Sequence, residues 1–106
     1  MGLPIESAID IAKRNITDIF TVEEWATKME YSCPKIFSRK FRNAFGERPK
    51  PRLIKLRVDK FYGLIKKYPD LSCYQIALEM GLKGEIALNK FVKRHTGKPP
   101  TGWKNG

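Results

Sequence analysis

A stretch that begins at Thr21 returns at Ser72, and each matched position is displaced by 51 residues. Trp25-Ala26 becomes Ile76-Ala77, Met29 becomes Met80, Tyr31 becomes Leu82, Phe37 becomes Leu88 and Arg39 becomes Lys90. Phe41 becomes Val92, Arg42 becomes Lys93, Gly46 becomes Gly97 and Pro49 becomes Pro100. Identity is low but side-chain character persists, as expected when one supersecondary unit is built twice. Each copy reads as a short helix, a turn and a second helix closed by glycine, which is the size and punctuation of a helix-turn-helix unit.

The helix starts are written locally. Thr21-Val-Glu-Glu24 is a capping box, and Ser72-Cys-Tyr-Gln75 echoes it. In each, the hydroxyl accepts an otherwise orphaned amide while the Glu or Gln side chain reaches back to the cap. The spacing predicts helices from about Val22 and Cys73, burying Trp25, Ala26 and Met29 in the first copy and Ile76, Ala77 and Met80 in the second. Ala26 and Ala77 stand where two helices cross closely, and a larger side chain would overpack the contact. Turns follow at Glu30-Tyr31-Ser32 and at 81–84. Gly81 supplies the positive φ such a turn requires, whereas Glu30 does so only under strain.

The second helix of each unit is expected from Pro34 to Phe45 and from Glu85 to Thr96. Pro34 suits a first helical position, where its missing amide hydrogen is not needed. Phe37, Phe41 and Phe45, four apart, form a buried seam, and the interleaved cations point elsewhere. Ahead of the first unit, Ile5, Ala8, Ile9, Ala12 and Ile16 predict an amphipathic scaffold helix over about Pro4 to Asn15. Between the units, a connector helix is expected over about Pro51 to Tyr68, with Ile54, Val58, Phe61, Ile65 and Tyr68 as its apolar line and Leu53, Leu56 and Leu64 broadening it. No strand is expected, so the fold class is all-α: a first lobe over about 4–50, the linker helix over 51–68, and a second lobe over 69–104.

The chain has 106 residues and a net charge of +10, unevenly placed. Residues 1–31 hold three Lys/Arg against six Asp/Glu, and residues 32–106 hold eighteen against five. The basic part begins where the first candidate reading helix begins. That asymmetry favours a polyanionic partner, since neutralising phosphates releases condensed counterions. A solvated basic surface is the plain alternative. No apolar run spans a bilayer, and the first residues lack the features of an export signal, so a cytoplasmic, nucleoid-associated location and no membrane partner are expected. Cys33 and Cys73 lack the spacing of a metal site, and His95 has no catalytic companions, so neither metal, cofactor nor enzymatic activity is expected.

These residues together resemble the DNA-binding domain of AraC/XylS-type transcription regulators. The resemblance runs from about Ile9 to Lys104. It rests on the doubled unit, Ala26 and Ala77, 38–42 before Gly46-x-x-Pro49, Leu56-Arg57, Leu71-Ser72 with Ile76-Ala77 and Gly81-Leu82, and Gly97-x-x-Pro100-x-x-Trp103. It implies a sequence-specific double-stranded DNA-binding transcription regulator, monomeric in this domain, whose two recognition helices are held by a rigid linker helix and enter successive major grooves.

By position, Lys35, Ser38 and Arg39 would meet base edges in the first unit, with Lys40 and Arg42 near phosphates. Arg39 can donate two parallel bonds to guanine. In the second unit the matching base-facing residues are Glu85, Ile86, Asn89 and Lys90, with Lys93 and Arg94 near phosphates. Asn89 suits adenine, Lys90 suits guanine, and Glu85 would accept from cytosine N4. Ile86-Ala87 departs from the family pattern. Either Ile86 contacts a thymine methyl or the helix merely holds the backbone. The alternative function is a protein-interaction adaptor, for example one contacting RNA polymerase, in which only the first unit reads DNA. The family usually adds an effector or dimerisation domain, so the chain is either a stand-alone regulator or part of a larger one. About six residues follow Pro100, so any final helix is expected to be a stub, with Trp103 capping the second core.

Overall fold

The computed structural model describes residues 2–104, and residues 1, 105 and 106 of the expected 1–106 domain lie outside that range. The element order is a 3-10 turn at Ile5–Ser7, then α1 (Ala8–Arg14), α2 (Val22–Lys28), α3 (Pro34–Phe45), α4 (Pro49–Lys67), α5 (Cys73–Glu79), α6 (Glu85–Thr96) and α7 (Pro100–Lys104). No strand occurs among the described residues, and the protein is all-α. None of these helices is long and apolar enough to cross a membrane. Contacts divide the chain into two units between Leu56 and Arg57, inside α4.

The first unit is organised around Trp25. Its ring lies 5.4 Å from Phe37 and 5.0 Å from Phe41, the latter edge-on, and its indole Nε1 donates to the Ala8 carbonyl at 3.0 Å. The indole therefore buries its large apolar body and still satisfies its one polar group. Ala8, Ala12, Ile16 and Ile19 close the core from the scaffold side, and Leu53 and Leu56 close it from α4. The expected first helix is shorter at its start: Ser7 Oγ donates to the Pro4 carbonyl at 2.7 Å, and the opening turn is 3-10 rather than α.

The second unit repeats the plan with aliphatic side chains. Ile76, Ala77 and Met80 of α5 meet Leu88 and Val92 of α6 and Phe61 and Leu64 of α4. Trp103 packs against this cluster as expected, edge-on to Tyr62 at 5.1 Å, with Nε1 donating to Thr96 Oγ1 at 3.0 Å. Both capping boxes form, with Glu24 N donating to Thr21 Oγ1 and Gln75 N donating to Ser72 Oγ, each at 3.1 Å.

The connector differs from its expected form. It begins at Pro49 rather than Pro51 and stops at Lys67, which leaves Tyr68 outside the helix and 47 % exposed. A proline at its first position and another in its first turn are tolerated because those amides have no partner inside the helix. The buried line is Leu53, Leu56, Arg57, Phe61 and Leu64. Of the line expected from spacing, Phe61 is buried, Ile54, Val58 and Ile65 are only partly so, and Tyr68 is exposed. The leucines read as broadening the stripe are its centre. A stripe apolar over more than half the helix circumference does not say which side the core will take.

Both turns adopt one backbone geometry. Glu30 has φ +64° and Gly81 has φ +77°. In each copy the next amide reaches back five residues, Tyr31 N to the Ala26 carbonyl at 2.9 Å and Leu82 N to the Ala77 carbonyl at 2.8 Å. Inside them, Glu30 N bonds the Thr27 carbonyl and Gly81 N the Leu78 carbonyl, which completes a Schellman motif in each copy. The fold thus imposes on Glu30 the left-handed conformation that glycine takes freely at the equivalent place.

Candidate nucleic-acid interface

The helices α3 and α6 span the residues expected from their caps, and each closes on a left-handed glycine, Gly46 at φ +75° and Gly97 at φ +87°. Phe37 and Phe41 anchor one side of α3, and Leu88 and Val92 anchor one side of α6. Burying these stripes turns the intervening polar residues outward, and that is how each unit presents a reading face.

On α3 the structure brings Lys35, Ser38, Arg39 and Arg42 together along one open groove of about 590 Å³. Lys35, Arg39 and Arg42 are exposed, and Ser38 is half-buried. Arg48 and Lys50, beyond the end of α3, line the same groove, as does Asn43. These three were not foreseen from the sequence. The 48–50 segment reads as the close of the unit, and only folding carries its cations back beside α3. Lys40 does not line the groove, and its Nζ sits 5.6 Å from the centre of the Tyr31 ring. Glu23 is the acid that lines the groove among the described residues. No ion pair among those residues neutralises Lys35, Arg39 or Arg42, whereas Arg52 is paired with Glu47 through Nε at 2.6 Å. The groove is therefore a concave surface of unneutralised cations beside one hydroxyl and one amide, suited to phosphate and to base edges together.

Cys33 stands at the N-cap of α3. Its thiol is held below its ordinary pKa by the backbone amide of Ile36, then that of Lys35, with the Lys35 and Arg39 cations adding to this and partial desolvation opposing it. A helix N-terminus stabilises a thiolate for the same reason that it stabilises any anion.

On α6, Glu85, Ile86 and Lys90 line a shallow depression together with Tyr74 and Lys83, which were not foreseen as part of the site. Asn89, Lys93 and Arg94 are exposed on the same helix but do not line it. The repeat offset could have identified Tyr74, because it is the counterpart of Glu23 in the first groove. His95 is exposed, with its ring 4.8 Å from Phe91, and its pKa is lowered by partial burial and by Arg94.

No family model matches the sequence, nor does any curated protein. Solved structures do. The DNA-binding domain of AdpA, a global transcriptional factor crystallised with a target DNA, superposes with a TM-score of 0.77 at 26 % identity, over 97 % of this chain and 91 % of that one. The C-terminal domain of AraT, a response regulator from Geobacillus stearothermophilus, superposes with a TM-score of 0.78 at 20 % identity, over 95 % of this chain and 83 % of that one. A transcriptional regulator with an AraC-type DNA-binding domain, from Chromobacterium violaceum, superposes with a TM-score of 0.73 at 19 % identity, over 95 % and 88 %. The last two likenesses speak to fold alone, and the first carries sequence likeness along nearly the whole chain. Two helix-turn-helix units in this order, with these solved counterparts, give the chain the all-α fold of the AraC-type DNA-binding domains.

Proposed function

We propose that this protein is a DNA-binding transcription regulator rather than an enzyme, and that it reads double-stranded DNA sequence-specifically with α3 and α6 in successive major grooves. The observation that carries the reading is the groove in which Lys35, Ser38 and Arg39 stand beside Arg42, Arg48 and Lys50 with their charges unneutralised by the fold. The AdpA domain, similar over nearly the whole chain, was crystallised on its target DNA, which supports the same class of partner here. Lys35, Ser38 and Arg39 take base edges, and Arg42, Arg48 and Lys50 take phosphates. Lys40, away from the groove, takes a flanking phosphate. On α6, Glu85, Ile86, Asn89 and Lys90 face the bases while Lys93 and Arg94 hold the backbone. The doubled unit supports a bipartite site whose halves lie about 34 Å apart, one turn of the duplex.

Selection of binding sites from random duplex DNA, followed by footprinting of the best one, tests this. The expected result is a selected sequence with two protected segments about one turn apart. Protection of a single segment would favour the adaptor reading, in which the second unit contacts a protein such as RNA polymerase. Absence of any selected sequence would overturn the proposal.

A further inference from the structure

The second groove is built from the same elements as the first but has different chemistry. Displaced by 51 residues, Glu23 is replaced by Tyr74, Lys35 by Ile86 and Arg39 by Lys90. The result is a depression of about 620 Å³ lined by Tyr74, Ile86 and Ala87 together with Lys83, Glu85 and Lys90. Ile86 is 74 % exposed and Tyr74 is 51 % exposed, with Ala87 beside them. Single exposed aliphatic residues are common and mean little. This one occupies the position that, in the first copy, faces into the cationic groove.

Two features of charge narrow what can sit there. Lys83 and Lys90 line the depression, and Lys93 and Arg94 are exposed further along α6, so the surroundings suit a polyanion. Glu85 occupies the first position of α6, the end whose free amides and dipole would otherwise attract phosphate. Its carboxylate disfavours phosphate beside Ile86 and leaves an uncharged group as the better fit there. The uncharged, apolar group displayed along the major groove of DNA is the C5-methyl of thymine.

We infer that Ile86, walled by Tyr74 and Ala87, selects thymine through its 5-methyl group, so that the second unit reads DNA by apolar contact where the first reads by hydrogen bonds. The inference rests on the DNA-binding reading above. Lys83 and Lys90 then hold the flanking backbone or an adjacent purine, and Tyr74 offers its hydroxyl to the strand beside the methyl.

Deoxyuridine keeps every hydrogen-bonding group of thymidine and lacks only the methyl, so it isolates the contact. With the full chain bound to its selected duplex, each thymine in the segment protected by the second unit is replaced in turn by deoxyuridine, and Kd is measured at fixed salt. One replacement is expected to weaken binding about fourfold, the worth of one buried methyl-sized group. Ile86→Ala is expected to cost about the same on the thymine duplex and nothing more on the uracil duplex. Uracil tolerated at every position, or losses from Ile86→Ala and uracil that simply multiply, would overturn the inference while duplex binding stood. Protection of the first unit's segment alone would overturn it in favour of a protein partner. Failure to select any duplex would remove the parent reading, and this inference with it. The uracil series uses the unaltered protein, so it does not depend on how the variant folds.

Discussion

The Arg57 guanidinium donates through Nη2 to the main-chain carbonyl of Met80 at 2.9 Å, tying α4 to the residue that closes α5. Arg57 is 4 % exposed, and its guanidinium lies 5.7 Å from the centre of the Phe91 ring on α6. One side chain thus reaches both helices of the second helix-turn-helix unit. A charged donor buried in this way also locks the backbone just ahead of the left-handed Gly81.

Replacing Arg57 with alanine leaves the buried Met80 carbonyl without this donor and is expected to destabilise the second unit by about 2–3 kcal/mol. Arg57→Lys restores only part of the loss, because an ammonium cannot match the planar fork. Urea unfolding followed by fluorescence separates the units, since Trp25 reports the first and Trp103 the second. The Trp103 transition should move to lower urea. Equal movement of both transitions, or of neither, would count against the assignment.

Glu30→Gly is expected to stabilise the first unit by about 0.5–1 kcal/mol. Relief of the left-handed conformation is worth roughly 1–2 kcal/mol, and the added freedom of glycine in the unfolded chain offsets roughly 0.5–1 of it. The reciprocal change, Gly81→Ala, should destabilise the second unit by a similar amount. Thermal unfolding of the two variants would reveal opposite shifts, and shifts of the same sign would contradict the equivalence of the turns.

Overpacking tests the close helix crossings. Ala26→Leu and Ala77→Leu insert a branched side chain at positions with essentially no exposure and are each expected to cost about 1–3 kcal/mol. Conversion to serine, of nearly alanine size, should cost less. Denaturant midpoints of the four variants decide this, and a neutral Ala77→Leu would mean that the α5 and α6 contact is looser than its burial implies.

Arg39→Ala is expected to reduce affinity for the selected site by about 1–3 kcal/mol and to relax the base preference at one position, with little effect on random duplex. Lys93→Ala should weaken binding to every sequence and lower the salt slope by about one. Titrations at several salt concentrations separate the two. Equal losses from Arg39→Ala on specific and random DNA would count against its role as a base reader.

Cys33 should react with iodoacetamide along a pH profile displaced to lower pH than that of the same thiol in the urea-unfolded chain. Because the folded thiol ionises more readily, it contributes stability fully above the unfolded pKa, and that contribution disappears as pH falls through the folded one. Bound DNA, if it covers the start of α3, should slow the alkylation. A profile identical in folded and unfolded protein would contradict the role of the Ile36 and Lys35 amides.

Much of the architecture was legible in the order of residues because its signals are local. Capping hydroxyls with Glu24 and Gln75 three positions on, Pro34 at a first turn, and Gly46 and Gly97 after a last one each act within a turn of helix. The bounds of α3 and α6 could therefore be read before any packing was known, along with the apolar seams at Phe37 and Leu88 that aim their cations outward. Three things depended on contacts between residues far apart in the chain. The wide apolar stripe of α4 was centred on the leucines and Arg57 by the side on which each core closed. Glu30 was driven into a left-handed turn by the geometry of the α2 and α3 packing, against its own preference. Arg48 and Lys50 joined the α3 groove because the segment after Gly46 packs beside that helix. Capping and periodicity are short-range and survive in a string of letters, whereas burial and convergence arise only when distant segments share a volume.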